Sequence, residues 1–550
     1  AQANWVQTRA RDCTAPAADT QGDRPTARRA AMSGSTRRSS VRMSTTSIPM
    51  PIGTGTGKAI VIVDPVSSGG TLAFEMYQRG YAVISVFCAE LTEAFRKGPD
   101  ILKNIVWHAQ IDEEEGAPIS QTAAAVKKAA GPLPIAACIV GGESGVTLAD
   151  ALSEALGVVT NGPFAGGDRR NKSVQQVAVK KAGLRAVREA LGKEWHEVEA
   201  FVDKEMGPGI PVVLKPVESC GSDGVKLCKT KQEAKDHFKL LMEGQRKVGA
   251  AGAGVLCQEF LAGTEYVIDH VSRGGVHKTV MVYVYDKRPT NGAAFVYWNM
   301  IPVDSSTAEA QLLIKYTQGV LNALKLDNGP THGEVMMTKD GPCLVEMNCR
   351  THGWDGAWAP LCRALTGGYC QIDAGLDSHV DPEAFDKLPA VFPSPFKASG
   401  QTVMLVSYFS GVVSSMPGYD KMRKLSSFES LTTRVKVGTQ VELTIDLFTA
   451  VGVLVLINSD KAQLEKDIAE VRKMEKEGLF TFESQIDPAQ YEVSPDTINM
   501  SESKEMQLQR CRSLSISAPP RYYESKVPTL AIALSAFAAG LLVGVVARKP

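Results

Sequence analysis

Residues 344–350 read LVEMNCR, in which apolar and polar side chains alternate as they do along a β-strand. The polar side chains at alternate positions share one face of such a strand. They are Glu346, Asn348 and Arg350. The preceding segment, residues 331–335, reads THGEV and places His332 and Glu334 on one face in the same way. A short turn at residues 339–341 predicts that the two strands pair and that their polar faces merge.

The merged face would carry two carboxylates, an amide, an imidazole and a guanidinium. Carboxylate and amide oxygens are hard ligands, suited to magnesium that is bound together with phosphate oxygens. We therefore predict a metal site of Glu334, Glu346 and Asn348. Arg350 beside it can stabilise a transferring phosphoryl group or an acyl phosphate. The alternative is a polar sheet face that only contacts solvent.

A second group of residues upstream suits a nucleotide. Residues 212–216 form an apolar strand, VVLKP, that exposes Lys215 before a loop of small residues at 218–225. The amides of such a loop can close over phosphates while the ammonium neutralises them, although a surface hairpin is an alternative. Residues 258–261 read QEFL, a strand edge whose backbone can pair with adenine. Glu265 follows near enough to reach ribose hydroxyls.

These pieces occur in a fixed order: Lys172 before a helix, VLKP with its glycine loop, QEFLAGTEY, and E…ExNxR. The ordered set resembles the ATP-grasp superfamily over roughly residues 58–480. The GTEYVID and THGEV segments are most similar to its carboxylate–amine ligase branch, which includes L-amino-acid (dipeptide) ligases.

The resemblance implies a role for each matching position. Phosphate contacts are expected from Lys172 and Lys215, and the mobile lid loop would include Ser219, Gly221, Ser222 and Gly224. Adenine would be held by Gln258, Glu259 and Leu261, and ribose by Glu265. The metal ligands would be Glu334, Glu346 and Asn348, with Arg350 and Lys215 as catalytic residues. Further candidates for substrate contact are His332, Asp269, His277, Arg288 and residues 351–354.

The resemblance implies an ATP- and Mg²⁺-dependent ligase that joins a carboxylate, as in an amino acid, to an amine through an acyl phosphate. Mn²⁺ is an alternative metal ion. Two other functions stay open: an ATP-grasp carboxylase, and a catalytically inactive, membrane-tethered scaffold that binds ATP. The partners would be small molecules.

The expected fold is multidomain, α/β and α+β. Apolar strands alternate with helices in residues 58–165, which predicts a parallel-sheet domain of the Rossmann-like type before the ATP-grasp domain at 166–395. Residues 396–484 are expected to form an accessory β-rich lid domain, in which TRVKVGTQV, residues 433–441, is one strand. A disordered or transit-like segment at 1–57 precedes these domains, and a linker at 485–526 follows them.

Composition excludes some classes of partner. The 550 residues hold 60 Lys and Arg against 60 Asp and Glu, so no global basic field indicates nucleic acid. The eleven cysteines contain no C-x-x-C pair, which favours free thiols in a reducing compartment, either the cytosol or an organelle.

Both ends of the sequence suggest where in the cell the protein is located. The first 50 residues are rich in Arg and Ser, which fits plastid or mitochondrial targeting as well as a plain disordered tail. Residues 527–547 carry no charge and are long enough for a single-pass C-terminal transmembrane helix. Small residues at 536, 540 and 544 would allow two such helices to pair, so a homodimer is an open alternative.

Overall fold

The computed structural model describes residues 55–207, 209–217, 224–243 and 254–483. Three of the predicted lid-loop residues, Ser219, Gly221 and Ser222, lie outside these ranges. So do most of the predicted transit-like segment, the linker at 485–526 and the apolar span at 527–547. Within the described ranges, no helix combines the length and the apolar character needed to cross a bilayer.

A parallel sheet covered by helices forms the N-terminal domain, as predicted. Its elements are β1 (Ala59–Val63), α1 (Ser68–Gln78), β2 (Ala82–Phe87), α2 (Glu93–Arg96), β3 (Ala109–Asp112), α3 (Ile119–Ala130), β4 (Ile135–Val140) and α4 (Val146–Leu156). The strand order is β3-β2-β1-β4. Every residue of β1 is buried, because helices pack on both faces of the sheet. A Cβ on Gly69 would lie 2.6 Å from the backbone of Gly141. Because Gly69 has none, the start of α1 can pack closely against the loop after β4.

A small antiparallel sheet follows helix α5 (Lys172–Lys181). It is built from β5 (Glu189–Gly192), α6 (Trp195–Met206), β6 (Val212–Pro216), β7 (Lys226–Cys228), α7 (Lys231–Glu243) and β8 (Val255–Glu259). The strand order is β5-β8-β6-β7, and both predicted nucleotide strands, β6 and β8, pair with each other. The register sets Lys215 opposite Leu256, while Gln258 and Glu259 stand opposite Val213 and Val212 at the start of β6.

A large antiparallel sheet holds the predicted metal residues. The next elements are β9 (Gly263–Arg273), β10 (Val276–Thr290), β11 (Ala293–Pro302), α8 (Ala308–Ala323), β12 (Gly329–Thr338), β13 (Gly341–Asn348), α9 (Ala359–Thr366), α10 (Gln371–Val380) and α11 (Pro382–Lys387). β12 pairs with β13 on one side and with β9 on the other. The α/β architecture expected for an ATP-grasp fold is therefore present.

The C-terminal elements extend the large sheet and add a small one. They are β14 (Gly400–Leu405), β15 (Gly411–Ser415), α12 (Pro417–Met422), β16 (Phe428–Thr432), β17 (Gln440–Val441), β18 (Gly452–Ile457), α13 (Lys461–Glu477) and β19 (Thr481–Phe482). The strands β15, β17 and β19 form a separate sheet in the order β17-β15-β19, while β14, β18 and β16 join the large sheet. The sheet has eight strands in the order β13-β12-β9-β10-β11-β14-β18-β16. Residues 396–483 thus share their main sheet with the ATP-grasp strands, although they also bury a core of their own around Tyr419 and Val471.

One predicted strand is wrong. Residues 433–441 do not form a continuous strand, because β16 ends at Thr432 and pairing resumes only at Gln440. Between them, the Lys436 amide donates to Thr439 Oγ1 and Gly438 takes a φ of 84°, which makes a tight turn. Alternating valines predicted a strand here, but the glycine that interrupts them belongs to that turn.

A buried arginine joins the N-terminal domain to the rest of the chain. The Arg169 guanidinium pairs with Asp150 and donates to the carbonyl of Gly162 at 2.6 Å. It also donates to the carbonyls of Leu324 and Lys325, just past α8, at 3.0 and 3.2 Å. One side chain therefore fixes α4 against the helix that covers the large sheet.

Candidate active site

The β12–β13 hairpin brings the predicted metal residues together. Its register sets Glu334 opposite Glu346 and His332 opposite Asn348. Directly opposite residues of an antiparallel pair project from the same face, so these four side chains are neighbours. The pairing predicted from the alternation of THGEV and LVEMNCR is confirmed.

Three lysines bring positive charge to this hairpin. Lys172 Nζ is 2.7 Å from Oε2 of Glu346, and Lys287 Nζ is 2.6 Å from Oε1 of Glu265. Lys215 is buried at the end of β6, in the field of Lys172 and Glu346. Ammonium groups and carboxylates thus alternate across the site, which gives it donors for phosphate oxygens and acceptors for a cation.

The start of α5 fixes the position of Lys172. The Asn171 side chain caps this helix by accepting from the backbone amides of Ser173 and Val174 at 2.9 and 3.2 Å. An Asn at this position is a strong helix start signal, and it makes Lys172 the first helical residue. The lysine consequently points at Glu346 from a rigid element.

Lys287 is a site residue that the sequence did not reveal. Its ammonium lies over two aromatic rings, 4.3 Å from the centre of Tyr297 and 5.4 Å from that of Tyr285. The segment VYVYDKR reads as a strand that ends in surface charges. The available signal was the spacing, because Lys287 follows Tyr283 and Tyr285 at alternate positions of β10 and so continues its buried face.

Burial and neighbouring charges shift the ionisation of these groups. Burial, reinforced by the charge of Lys172, lowers the pKa of Lys215 to about 8. Burial acts to raise the pKa of Glu334, but the hydrogen bond with His332 and the charge of Lys287 outweigh it and lower the pKa to about 2. Burial dominates at Glu265 and raises its pKa. At neutral pH the Lys215 ammonium and the Glu334 carboxylate are therefore both charged.

Arg350 extends from the end of β13 toward the N-terminal domain. Its Nη2 donates to Oδ1 of Asn348 at 2.9 Å, and its Nε is 3.0 Å from Oε2 of Glu143. Glu143 follows β4, so Arg350 spans the gap between the two sheets. A guanidinium in this position can meet the carboxylate or phosphoryl group of a substrate that lies between them.

The predicted metal ligands suit a hard divalent cation by their chemistry. Glu334 and Glu346 offer carboxylate oxygens from opposite positions of one hairpin. The Lys172 ammonium already pairs with Glu346, so the site stabilises a positive charge. Asn348 is turned differently: its Nδ2 donates to Oε1 of Glu346 at 3.3 Å, and its Oδ1 accepts from Arg350. Carboxylate oxygens are of the kind that Mg²⁺ prefers, and ligation by Asn348 would require its amide to turn.

The predicted adenine residues lie at the end of β8. The Glu259 carboxylate accepts from the Arg188 amide at 2.9 Å and pairs with the Arg188 guanidinium at 2.8 Å. Gln258 donates to Glu189 at 2.6 Å. Leu261 follows directly, while Glu265, the predicted ribose ligand, pairs with Lys287. Nucleotide contact by these residues stays a prediction.

The one described lid-loop residue is at the edge of the small sheet. Gly224 takes a φ of 72°, where glycine is favoured, and its carbonyl is 2.9 Å from Nε2 of His237. This contact fixes one end of the predicted lid to α7.

The candidates for substrate contact divide into two groups. Asp269, His332 and His352 meet in one buried cluster beside Glu334. His277 is placed elsewhere, with Nδ1 against Ser272. Arg288 pairs with Asp286. The structure therefore does not bring His277 or Arg288 to the metal residues.

The loop after Arg350 is held in a strained conformation. Trp354 and Asp355 take φ values of 66° and 53°, a region that residues other than glycine rarely adopt. Ser68 Oγ, at the start of α1, donates to the Gly353 carbonyl at 2.6 Å and contributes to holding it. The Trp354 ring packs edge-on against Tyr297, 6.0 Å between centres. The loop thus turns an indole toward the aromatic residues around Lys287.

Comparisons with known proteins identify the domain. Residues 208–357 match the family described as the ATP-grasp domain. Dapdiamide A synthase of Enterobacter agglomerans is 29% identical over 427 residues, which cover 76% of this chain and 96% of that protein. Alanine–anticapsin ligase of Bacillus subtilis (strain 168) is 23% identical over 353 residues, covering 59% and 73%.

A solved structure supports the same fold. The L-amino acid ligase from Bacillus licheniformis superposes with a TM-score of 0.60 at 15% identity, covering 76% of this chain and 97% of that one. The resemblance to the carboxylate–amine ligase branch that was predicted from the ordered motifs is confirmed by these similarities.

Proposed function

We propose that this chain, an ATP-grasp protein of the carboxylate–amine ligase branch, uses ATP to join the carboxylate of an amino acid to an amine. The hairpin register carries the proposal, because it sets Glu334 opposite Glu346 with Lys172 bound to the latter. Carboxylates for a metal and ammoniums for phosphates therefore share one site. The names of the alanine–anticapsin ligase and the L-amino acid ligase support an amino acid as the carboxylate substrate.

The reaction takes two steps. A substrate carboxylate oxygen attacks the γ-phosphorus of ATP, the bond to ADP breaks, and an acyl phosphate forms. The amine then attacks the acyl carbon, phosphate leaves, and the nitrogen loses a proton. Phosphoryl transfer depends mostly on positioning and charge neutralisation, which the Lys172 and Lys215 ammoniums and the Arg350 guanidinium supply.

Glu334 and Glu346 would hold Mg²⁺, with Asn348 as a third ligand after its amide turns. When bound, the ion neutralises phosphate oxygens and orients the triphosphate for in-line attack. We include Mn²⁺ as a metal that the same oxygen ligands accept. Gln258, Glu259 and Leu261 would hold the base, and the loop that contains Ser219, Gly221, Ser222 and Gly224 would close over the phosphates.

An ADP-release assay tests this function. The full-length protein is incubated with ATP, Mg²⁺ and pools of amino acids, and products are identified by mass spectrometry. We expect amino-acid-dependent ADP release that falls about 100-fold or more in Glu346→Gln, since a carboxylate that would hold the metal ion is lost. Glu429→Gln is the matched control, because Glu429 is an exposed carboxylate on β16 of the same sheet.

Two outcomes would contradict the proposal. Equal background rates of ADP release in the wild type and in Glu346→Gln would favour an inactive scaffold. ADP release that depends on bicarbonate and not on amino acids would favour the carboxylase alternative.

We further propose that residues 527–547 anchor the protein in a membrane as a single C-terminal span. Their uncharged, apolar sequence supports this, and the small-residue spacing supports pairing of two copies. The Arg- and Ser-rich start supports plastid or mitochondrial targeting. Fluorescent fusions test the two signals separately. Loss of membrane-bound fluorescence on deletion of residues 527–550 supports the anchor, and unchanged membrane fluorescence contradicts it. Loss of organelle fluorescence on deletion of residues 1–50 supports the targeting, and an unchanged pattern contradicts it.

A further inference from the structure

Helix α5 reverses the usual arrangement of polar and apolar side chains. Its buried face carries Gln175 and Gln176. Gln175 donates to the carbonyl of Met347 at 2.7 Å, and Gln176 donates to that of Leu344 at 3.0 Å. The opposite face of the helix is mostly apolar, and Val177 on it is 49% exposed. A surface helix normally turns its apolar face inward, so the outer face of α5 presents a surface suited to an apolar ligand.

This outer face lines a cleft between α5 and α8, which we call the α5–α8 cleft. Its volume is about 530 Å³, a size typical of sites for small molecules. The lining residues of α5 recur at helical spacing and are Val174, Val177, Ala178 and Lys181. Leu184 follows them, and Gly319 of α8 lies across from it, where a Cβ would be only 3.0 Å from Leu184 Cδ1. Small residues on α8 therefore help to keep the cleft open.

The charge of the α5–α8 cleft has a single sign. Among the described residues that line it, only Lys181 and Lys325 are charged, and both are exposed. Within the described ranges no carboxylate forms an ion pair with either ammonium. A ligand that complements this lining has an apolar body and a negatively charged group.

Lys325 stands where the backbone favours glycine. Helix α8 ends in a Schellman motif, in which the Leu326 amide donates to the Leu321 carbonyl at 3.0 Å and the Lys325 amide to the Asn322 carbonyl at 3.3 Å. Lys325 takes a φ of 55° in this motif, in the left-handed region. A lysine at this position carries a conformational cost that glycine would not, which points to a role for its side chain beyond ending the helix.

We propose that the α5–α8 cleft binds an aliphatic carboxylate, with the chain against Val177 and Leu184 and the carboxylate paired with Lys181 and Lys325. The site is separate from the candidate active site, because Lys172 extends from the other face of α5 to Glu346. A second copy of the chain fits the cleft less well. Two copies related by a two-fold axis through it would bring their lysines together, and like charges repel.

Calorimetric titration of the full-length protein with octanoate tests this site. Acetate has the same carboxylate without the chain, and octanol has a chain of the same length without the charge. We expect octanoate to bind roughly tenfold more tightly than either of them, because apolar contact and ion pairing each add to its affinity. Octanoate that binds no more tightly than acetate or octanol would overturn the proposal.

The double variant Lys181→Met/Lys325→Gly locates the binding. It removes both charges, so the dissociation constant for octanoate should rise roughly tenfold. The melting temperature should not fall, because glycine is the favoured residue at position 325. Weaker binding without loss of stability distinguishes a ligand contact from a structural role of the two lysines.

Lys180→Met is the matched control, because Lys180 is exposed on the same helix and does not line the α5–α8 cleft. It should bind octanoate as the wild type does. Wild-type affinity in the double variant would place octanoate elsewhere, for example at Arg350, and would overturn the proposal.

Sedimentation velocity tests the other occupant. Val177→Asp adds a negative charge to the α5–α8 cleft, so it should weaken octanoate binding and leave the oligomeric state unchanged. A wild-type dimer that Val177→Asp dissociates would show that the cleft is an interface between two copies of the chain, and the carboxylate site would be wrong.

Discussion

Lys172 and Glu346 form an ion pair at the predicted metal site, where the lysine supplies positive charge beside a carboxylate. Their atoms are 2.7 Å apart, and the Lys172 side chain is only 8% exposed. Glu346 raises the pKa of Lys172 against the opposing effect of burial. A buried carboxylate that loses its partner destabilises a protein strongly.

Lys172→Met should therefore lower the free energy of unfolding by about 3–5 kcal/mol in the absence of divalent ions. Mg²⁺ should restore part of this loss, since it can replace the missing positive charge beside Glu346. Thermal denaturation with and without MgCl₂ at constant ionic strength measures both effects. Lys180→Met, an exposed lysine of the same helix, should show neither. A loss in Lys172→Met that Mg²⁺ leaves untouched would argue against a cation site at Glu346.

Lys215 makes nucleotide affinity depend on pH. Burial lowers its pKa to about 8, so the free protein carries the ammonium below that pH and loses it above. If the charged form alone binds the triphosphate, the dissociation constant for an ATP analogue should rise roughly tenfold between pH 7 and pH 9. Lys215→Arg should flatten this dependence, because arginine stays charged throughout. Calorimetric titrations at several pH values measure this dependence. An equal rise of the dissociation constant with pH in the wild type and in Lys215→Arg would contradict the prediction.

The loop from residue 351 to 358 is the element that joins the site to the N-terminal domain. Gly356 takes a φ of 74°, and a Cβ there would lie 2.7 Å from Thr71 Oγ1 of α1. Gly157, which ends α4, takes a comparable φ of 72°, but a Cβ there would meet nothing within 4 Å. The two glycines therefore separate backbone strain from loss of the contact with α1.

Gly157→Ala should cost about 1–2 kcal/mol of unfolding free energy, the penalty for a side chain in the left-handed region. Gly356→Ala should cost clearly more, because the added methyl also pushes Thr71 away. Denaturant unfolding of both variants gives the comparison. Equal losses would mean that α1 yields to the methyl and that the loop is not clamped there.

At this scale the sequence was most informative where polar residues alternate along strands. LVEMNCR and THGEV predicted a hairpin and its shared face, because side chains on strands alternate whatever the surrounding fold is. The sequence did not identify Lys287 as a site residue, because its burial depends on aromatic rings from β10 and β11 that only the folded sheet brings together. Residues 433–441 were wrongly predicted to be a strand, because valines typical of strands flank a glycine turn. Local propensity does not decide between a strand and a turn there.

Across the whole molecule, the eight-stranded sheet sets which parts of the chain depend on each other. β14 pairs with β11 through Asn299 and Met300, and Arg472 of α13 donates to the Trp298 carbonyl at 2.6 Å. The sequence predicted a separate lid domain from residue 396, but it could not show that later strands add to an earlier sheet. That pairing is non-local and leaves no signature in a short window of sequence.

A chain that ends at residue 395 should therefore fail to fold stably, whereas one that ends at residue 483 should keep the stability of the full chain. The shorter chain exposes the edge of β11 and the side of Leu361 that packs against β14. Melting temperature and dye binding to exposed apolar surface distinguish the two truncations. A cooperative transition in the shorter chain would show that residues 396–483 form an independent domain.

The central claim is that this molecule activates a carboxylate by phosphorylation, and oxygen isotope transfer measures it directly. A substrate amino acid labelled with ¹⁸O in its carboxylate is turned over with ATP and its amine partner, and the released phosphate is analysed by mass spectrometry. Because the attacking carboxylate oxygen ends on phosphorus, we predict one ¹⁸O atom in each phosphate released, together with ADP. Unlabelled phosphate, or AMP and pyrophosphate as products, would contradict the account.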